Sequence, residues 1–158
     1  FSDAIKLMSK ETPLILKSNY MIYFISPMLM LILILMMWMI YPFYYNNFSM
    51  NLSFIYLMCC FSLGAYGLLM SGWSSNSIYS MLGSMRSLAQ SISYEVSLAI
   101  IMIIPMFMID NINLHNLLYF QNIWYFFMMW PMMILFFFSV MAELNRTPFD
   151  FSEGESEL

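Results

Sequence analysis

The sequence predicts an all-α integral membrane protein, and three observations carry that prediction: composition, the length of the apolar runs, and the placement of basic residues. Of the 158 residues, 62% are hydrophobic and 9% charged, a mix that would leave a soluble domain with far too much apolar surface in water. Four apolar runs reach the roughly twenty residues a helix needs to cross the hydrocarbon core. All Lys and Arg residues fall in segments that four crossings would place on one side.

The expected organisation is a single membrane domain over 1–158. In the first segment, 1–19, Phe1, Ile5, Leu7 and Met8 interleave with Asp3, Lys6, Lys10 and Glu11, which predicts a short amphipathic helix on the membrane surface, ended by Thr12 and Pro13. The start shows neither an initiator methionine nor a signal-peptide pattern, so the sequence reads as an internal fragment. Predicted spans follow at 20–40, 52–70, 90–109 and 122–141. Pro27 and Pro131 inside two of them predict kinks more readily than breaks. Gly64, Gly67 and Ser71 form a small-residue strip on the second span that suits close helix packing.

Four spans put both ends and the 71–89 connection on one side, with Lys6, Lys10, Lys17, Arg86 and Arg146; the opposite segments, 41–51 and 110–121, hold no Lys or Arg. By the positive-inside rule the basic side faces the cytoplasm, or the matrix in a mitochondrion. Tyr41, Tyr44, Tyr45, Tyr119 and Trp124 then belong to the aromatic belt of the far side. His115 lies there without a ligand-spaced partner and reads as a solvated loop histidine. Adjacent Cys59 and Cys60 fit neither a disulfide nor a metal site and read as buried small hydrophobes. Twenty methionines are explained by biased codon usage more simply than by a methionine-rich groove.

Candidate chemistry concentrates in two places. The start of the third span carries Ser84, Arg86, Ser87, Gln90, Ser91, Tyr94, Glu95 and Ser97, about half of the helix circumference at about 100° per residue. Leu88, Ala89, Ile92, Val96 and Ala99 make an apolar opposite face, so the helix should line a polar interior and turn its back to lipid or other helices. Glu95 lies inside the span, where a carboxylate costs about 3 kcal/mol unless paired or protonated; it is either a proton relay or a hydrogen-bonding partner of another helix. The tail, 142–158, carries Glu143, Asp150, Glu153, Glu155 and Glu157 against Arg146, a net −4 equal to the formal charge of the whole chain. Interleaved Pro148, Phe149 and Phe151 predict that this acidic segment packs against something. Clustered carboxylates share protons and redistribute them when a neighbouring charge changes. No glycine-rich phosphate loop, haem or iron–sulfur ligand set, or Ser/His/Asp arrangement is present, and no basic patch suggests nucleic acid.

Three stretches, FSDAIKL (Phe1 to Leu7), GWSSNSIYSMLGSMRSLAQSISYEVSLA (Gly72 to Ala99) and AELNRTPFDFSEGESEL (Ala142 to Leu158), resemble the chain 1 family of the respiratory NADH:ubiquinone oxidoreductase, complex I. Ser87 and Ser152 stand where that family commonly has alanine, and Ser91 where it has threonine. The resemblance implies four helices from the middle of an eight-helix subunit of the mitochondrial inner membrane, with both fragment ends on the matrix side. It implies ubiquinone as substrate, no redox cofactor bound here, and NAD, FMN and iron–sulfur clusters in partner subunits, the terminal cluster among the peripheral ones. Asp3, Lys6, Arg86, Tyr94, Arg146 and Phe149 become quinone-tunnel candidates. Glu95, Glu143, Asp150, Glu153, Glu155 and Glu157 become proton-relay candidates, on a path toward the other membrane subunits. Two alternatives remain: an ion or solute transporter with an intramembrane glutamate, for which no internal repeat is visible, and a purely structural membrane subunit.

Overall fold

The computed structural model describes residues 1–11, 16–41, 50–120 and 124–151, the side chains of Asp3 and Tyr125 excepted. All regular structure among the described residues is helical: α1 (Ser2–Ser9), α2 (Tyr20–Trp38), α3 (Ser53–Ser74), α4 (Ile78–Ile109), α5 (Leu114–Phe120), α6 (Tyr125–Met128) and α7 (Trp130–Glu143). Of these, α2, α3 and α4 are long and apolar enough to cross a membrane, so the all-α membrane class stands.

The fourth expected span, 122–141, does not form one helix over its described part. It is divided into α6 and α7 at Met129, whose φ of −127° and ψ of 39° leave the helical region. Pro131 stands in the first turn of α7 instead of inside a helix. Its missing N–H costs nothing there, because a first-turn amide has no intrahelical acceptor. Pro27, in contrast, lies within a continuous α2. A proline at this position leaves the Tyr23 carbonyl without its helical donor, and the buried hydroxyl of Ser26 donates to that carbonyl at 3.1 Å.

The helix of the third span begins at Ile78, ahead of the expected Gln90. Ser77 caps it, its extended backbone (φ −110°, ψ 142°) letting the side chain accept from Ser80 N. At 32 residues it is about 48 Å long, well beyond the hydrocarbon thickness of about 30 Å, so its first turns reach out on the basic side. It ends at Asp110, whose left-handed conformation (φ 54°) short polar residues tolerate.

Helices α2, α3, α4 and α7 pack as an open row in that order, each against the next, with α5 resting on α3 and α4 and α6 on α7. No other described helix lies against α1, which is exposed along its length. Small residues allow the close approaches. A Cβ on Gly67 would meet Met30 Sδ and Cγ of α2, and one on Gly72 would meet Ser84 of α4. Gly64 has open space around it, so only part of the expected strip acts in packing. The buried serines Ser84, Ser87 and Ser139 donate to carbonyls three residues earlier on their own helices, which lets polar residues sit between helices with satisfied hydroxyls.

Both ends of the row are tied. On the basic side Asn19 N donates to Ser74 O at 2.9 Å, and Asn76 Nδ2 to Lys17 O at 3.0 Å. On the far side Ser53 Oγ accepts from Leu114 N at 2.8 Å and donates to Asn113 Oδ1, which also accepts from His115 N. His115 is therefore not a loop histidine: Asn113 caps α5, and the half-buried imidazole meets the Tyr119 ring one turn on, edge to face at 5.3 Å. Cys60 is buried but Cys59 is exposed, because neighbouring helical residues point about 100° apart.

Candidate functional site

The polar side of α4 faces into the row. Ser84, Ser87 and Gln90 are buried, and Ala89, Ile92 and Val96 are exposed. This follows from composition: serine and glutamine can be satisfied between helices, and the larger aliphatic groups belong toward lipid.

The structure closes this polar stripe with the end of α7. After Glu143 the chain turns through Asn145, which takes a left-handed φ of 48°. Arg146 N bonds back to Met141 O at 3.1 Å, and Phe149 N to Arg146 O at 2.7 Å. The turn brings the start of the acidic segment onto α4. Gln90 Nε2 donates to Ala142 O at 2.7 Å and to Phe149 O at 2.9 Å, spanning the helix end and the segment beyond it. One turn further along α4, the Tyr94 ring meets Phe149 edge to face, with centroids 5.4 Å apart.

Beside this contact lie two carboxyls from different helices. Glu95 and Glu143 are both half-buried and close enough for their charges to interact. Glu143 Oε2 and Gln90 Oε1 are buried and form no hydrogen bond among the described residues. The structure thus brings Tyr94, Glu95, Glu143 and Phe149 together, with Asp150 half-buried next in the chain. Arg86 is half-buried one turn before Gln90, and Arg146 is exposed. Lys6 is exposed on α1 and not brought to this cluster, since α1 packs on no other described helix. Asp3 belongs to α1, its side chain outside the description, and Glu153, Glu155 and Glu157 lie outside the described residues. Among the described residues no three of His, Cys, Asp and Glu converge as metal ligands.

Gln90 stands in the expected polar stripe but not among the quinone-tunnel or proton-relay candidates. The available signal was its spacing, since Arg86, Gln90 and Tyr94 repeat every four residues along the polar stripe. Nothing in the sequence named the backbone carbonyls of Ala142 and Phe149 as its partners.

Fold and site define a class: an all-α integral membrane protein with two half-buried acids on neighbouring helices and an acidic, aromatic-bearing segment folded onto the polar face of one of them. The family model for NADH dehydrogenase matches residues 1–158. The chain belongs to that family. It is 46% identical over 159 residues to NADH-ubiquinone oxidoreductase chain 1 of Anopheles gambiae, covering all of this chain and 51% of that protein. The protein of the same name from Locusta migratoria is 49% identical over 162 residues, covering all of this chain and 50% of the relative. That of Cyanidium caldarium is 46% identical over 160 residues, covering 99% and 46%. The chain spans about half the length of the curated relatives it matches.

Proposed function

We propose that this chain is part of a core membrane subunit of a proton-translocating NADH:ubiquinone oxidoreductase, lining the path of ubiquinone and coupling its reduction to proton movement. The observation that carries the reading is the folding of the start of the acidic segment onto the polar face of α4, which brings Glu143 of α7 near enough to Glu95 for their charges to interact. The names of the relatives support the electron donor and acceptor.

A carboxylate shielded from water near a second acid is disfavoured as a charge, and a proton on it relieves that cost. Such a group gives up or takes a proton when a nearby charge changes. Reducing a quinone to a quinol brings in electrons from outside and draws protons from groups lining the chamber, which leaves those groups more negative until they are reprotonated. Asp150, Glu153, Glu155 and Glu157 extend the acidic side of that chamber in this reading. Tyr94 and Phe149 offer aromatic surface to a flat ring, and Asp3, Lys6, Arg86 and Arg146 contribute its polar lining. Electrons reach the quinone from NAD-, FMN- and iron–sulfur-bearing partner subunits. The subunit sits in the inner mitochondrial membrane beside other membrane subunits, with the Lys- and Arg-bearing side toward the matrix.

Replacing Glu95 with Gln in the assembled enzyme tests the reading, because the amide keeps shape and hydrogen bonding but cannot exchange a proton. The rate of proton translocation should fall by at least about tenfold, the scale of removing a proton-transferring group. Normal quinone reduction together with normal pumping would exclude Glu95 from the path.

A further inference from the structure

We propose that Gln90 is a positioning residue, a latch that holds the segment after α7 on α4 and thereby sets where Phe149 stands. This rests on the reading of the site as the quinone chamber. Gln90 is 6% exposed, and its side-chain nitrogen bonds to two main-chain carbonyls on either side of the turn at Asn145: Ala142 in the last turn of α7, and Phe149 beyond it. The two N–H groups of one amide suffice for both acceptors. The orientation is dictated by those acceptors, since a flipped amide would set its oxygen against two carbonyl oxygens. Gln90 Oε1 is buried without a hydrogen bond among the described residues, so what holds the side chain here by hydrogen bonding is its donor half.

The consequence is geometric. Phe149 is the residue whose carbonyl is held and also the residue whose ring meets Tyr94. One side chain of α4 therefore fixes the main chain at Phe149 while another meets its ring. Asp150 follows directly. When the latch releases, Phe149 O loses this donor while Ala142 O keeps Asn145 N at 3.3 Å, so the bond to Phe149 is the one that holds the segment on α4.

The test uses the assembled, membrane-bound enzyme with the full-length chain, comparing Gln90→Met, which keeps the unbranched shape without a donor, and Gln90→Glu, which presents oxygen to the carbonyls. Hydrogen–deuterium exchange of the backbone over 144–151 should speed up by about tenfold in each, because a segment held by fewer buried bonds opens more often. The KM for a short-chain ubiquinone analogue should rise about fivefold with kcat within about twofold, as expected when a binding surface is mispositioned. NADH oxidation by a water-soluble acceptor, which reports the amount of assembled enzyme, should be unchanged. Unaltered exchange in the variant that assembles overturns the latch. Faster exchange with an unaltered KM, while Phe149→Leu does raise KM, also overturns it, since the contact is then scaffolding only. If neither Gln90 nor Phe149 affects KM, the quinone-chamber reading itself fails, and the positioning role fails with it.

Discussion

Glu143 is placed under two demands that act in the same direction: its helix end is packed against α4, which shields one carboxyl oxygen, and Glu95 brings a second acid close by. Replacing Glu143 with Gln removes one charge of the pair and keeps the volume. The expected outcome is loss of proton translocation comparable to that of Glu95→Gln, with a double variant no worse than either single one, since groups acting as a unit are not additive. Proton pumping by reconstituted enzyme checks this, and additive losses would show that the two acids act separately. Glu95 and Glu143 were each legible in the sequence as an acid at or near an apolar span. Their adjacency was not, because it depends on which two helices of the row are neighbours.

At the scale of the element, packing is decided by what stands opposite each small residue. Gly64, Gly67 and Ser71 share a stripe on α3, yet a Cβ meets a neighbour at Gly67 and open space at Gly64. Gly67→Val should therefore destabilise the α2–α3 contact by about 1–3 kcal/mol, whereas Gly64→Ala should be nearly neutral. Yield and thermal stability of the detergent-solubilised assembly distinguish the two, and equal effects would contradict the packing described here. Proline shows the same dependence on context. Pro27 is carried within α2 by the Ser26 hydroxyl, and Pro131 starts a helix after an interruption at Met129. Hydropathy alone merged residues on both sides of Met129 into one span, because it measures apolarity and not backbone angles.

For the whole molecule, the open row of α2, α3, α4 and α7 leaves long apolar faces exposed on both sides, suited to lipid and to further helices. The acidic segment starts at one end of that row, on the same helix end as Arg86 and near the first turns of α4 that carry it beyond the hydrocarbon. Neutralising Asp150, Glu153 and Glu155 together should lower quinone reductase activity by about tenfold or more and reduce the amount of assembled enzyme far less. Activity measured against assembled enzyme on native gels checks this. A parallel fall in both would mean that the segment serves assembly alone.

By itself the sequence determined the solvent of this protein, its helical class, the inward-facing polar stripe of α4 and the concentration of acids after α7. Those are properties of composition and of helical period, which need no knowledge of neighbours. Only the tertiary structure decided that Gln90 holds the carbonyls of Ala142 and Phe149, that Glu95 meets Glu143, and that α1 stands apart from the other described helices. Main-chain carbonyls are chemically alike at every position, and residues 52 and 59 apart become partners through helix packing that no local pattern encodes.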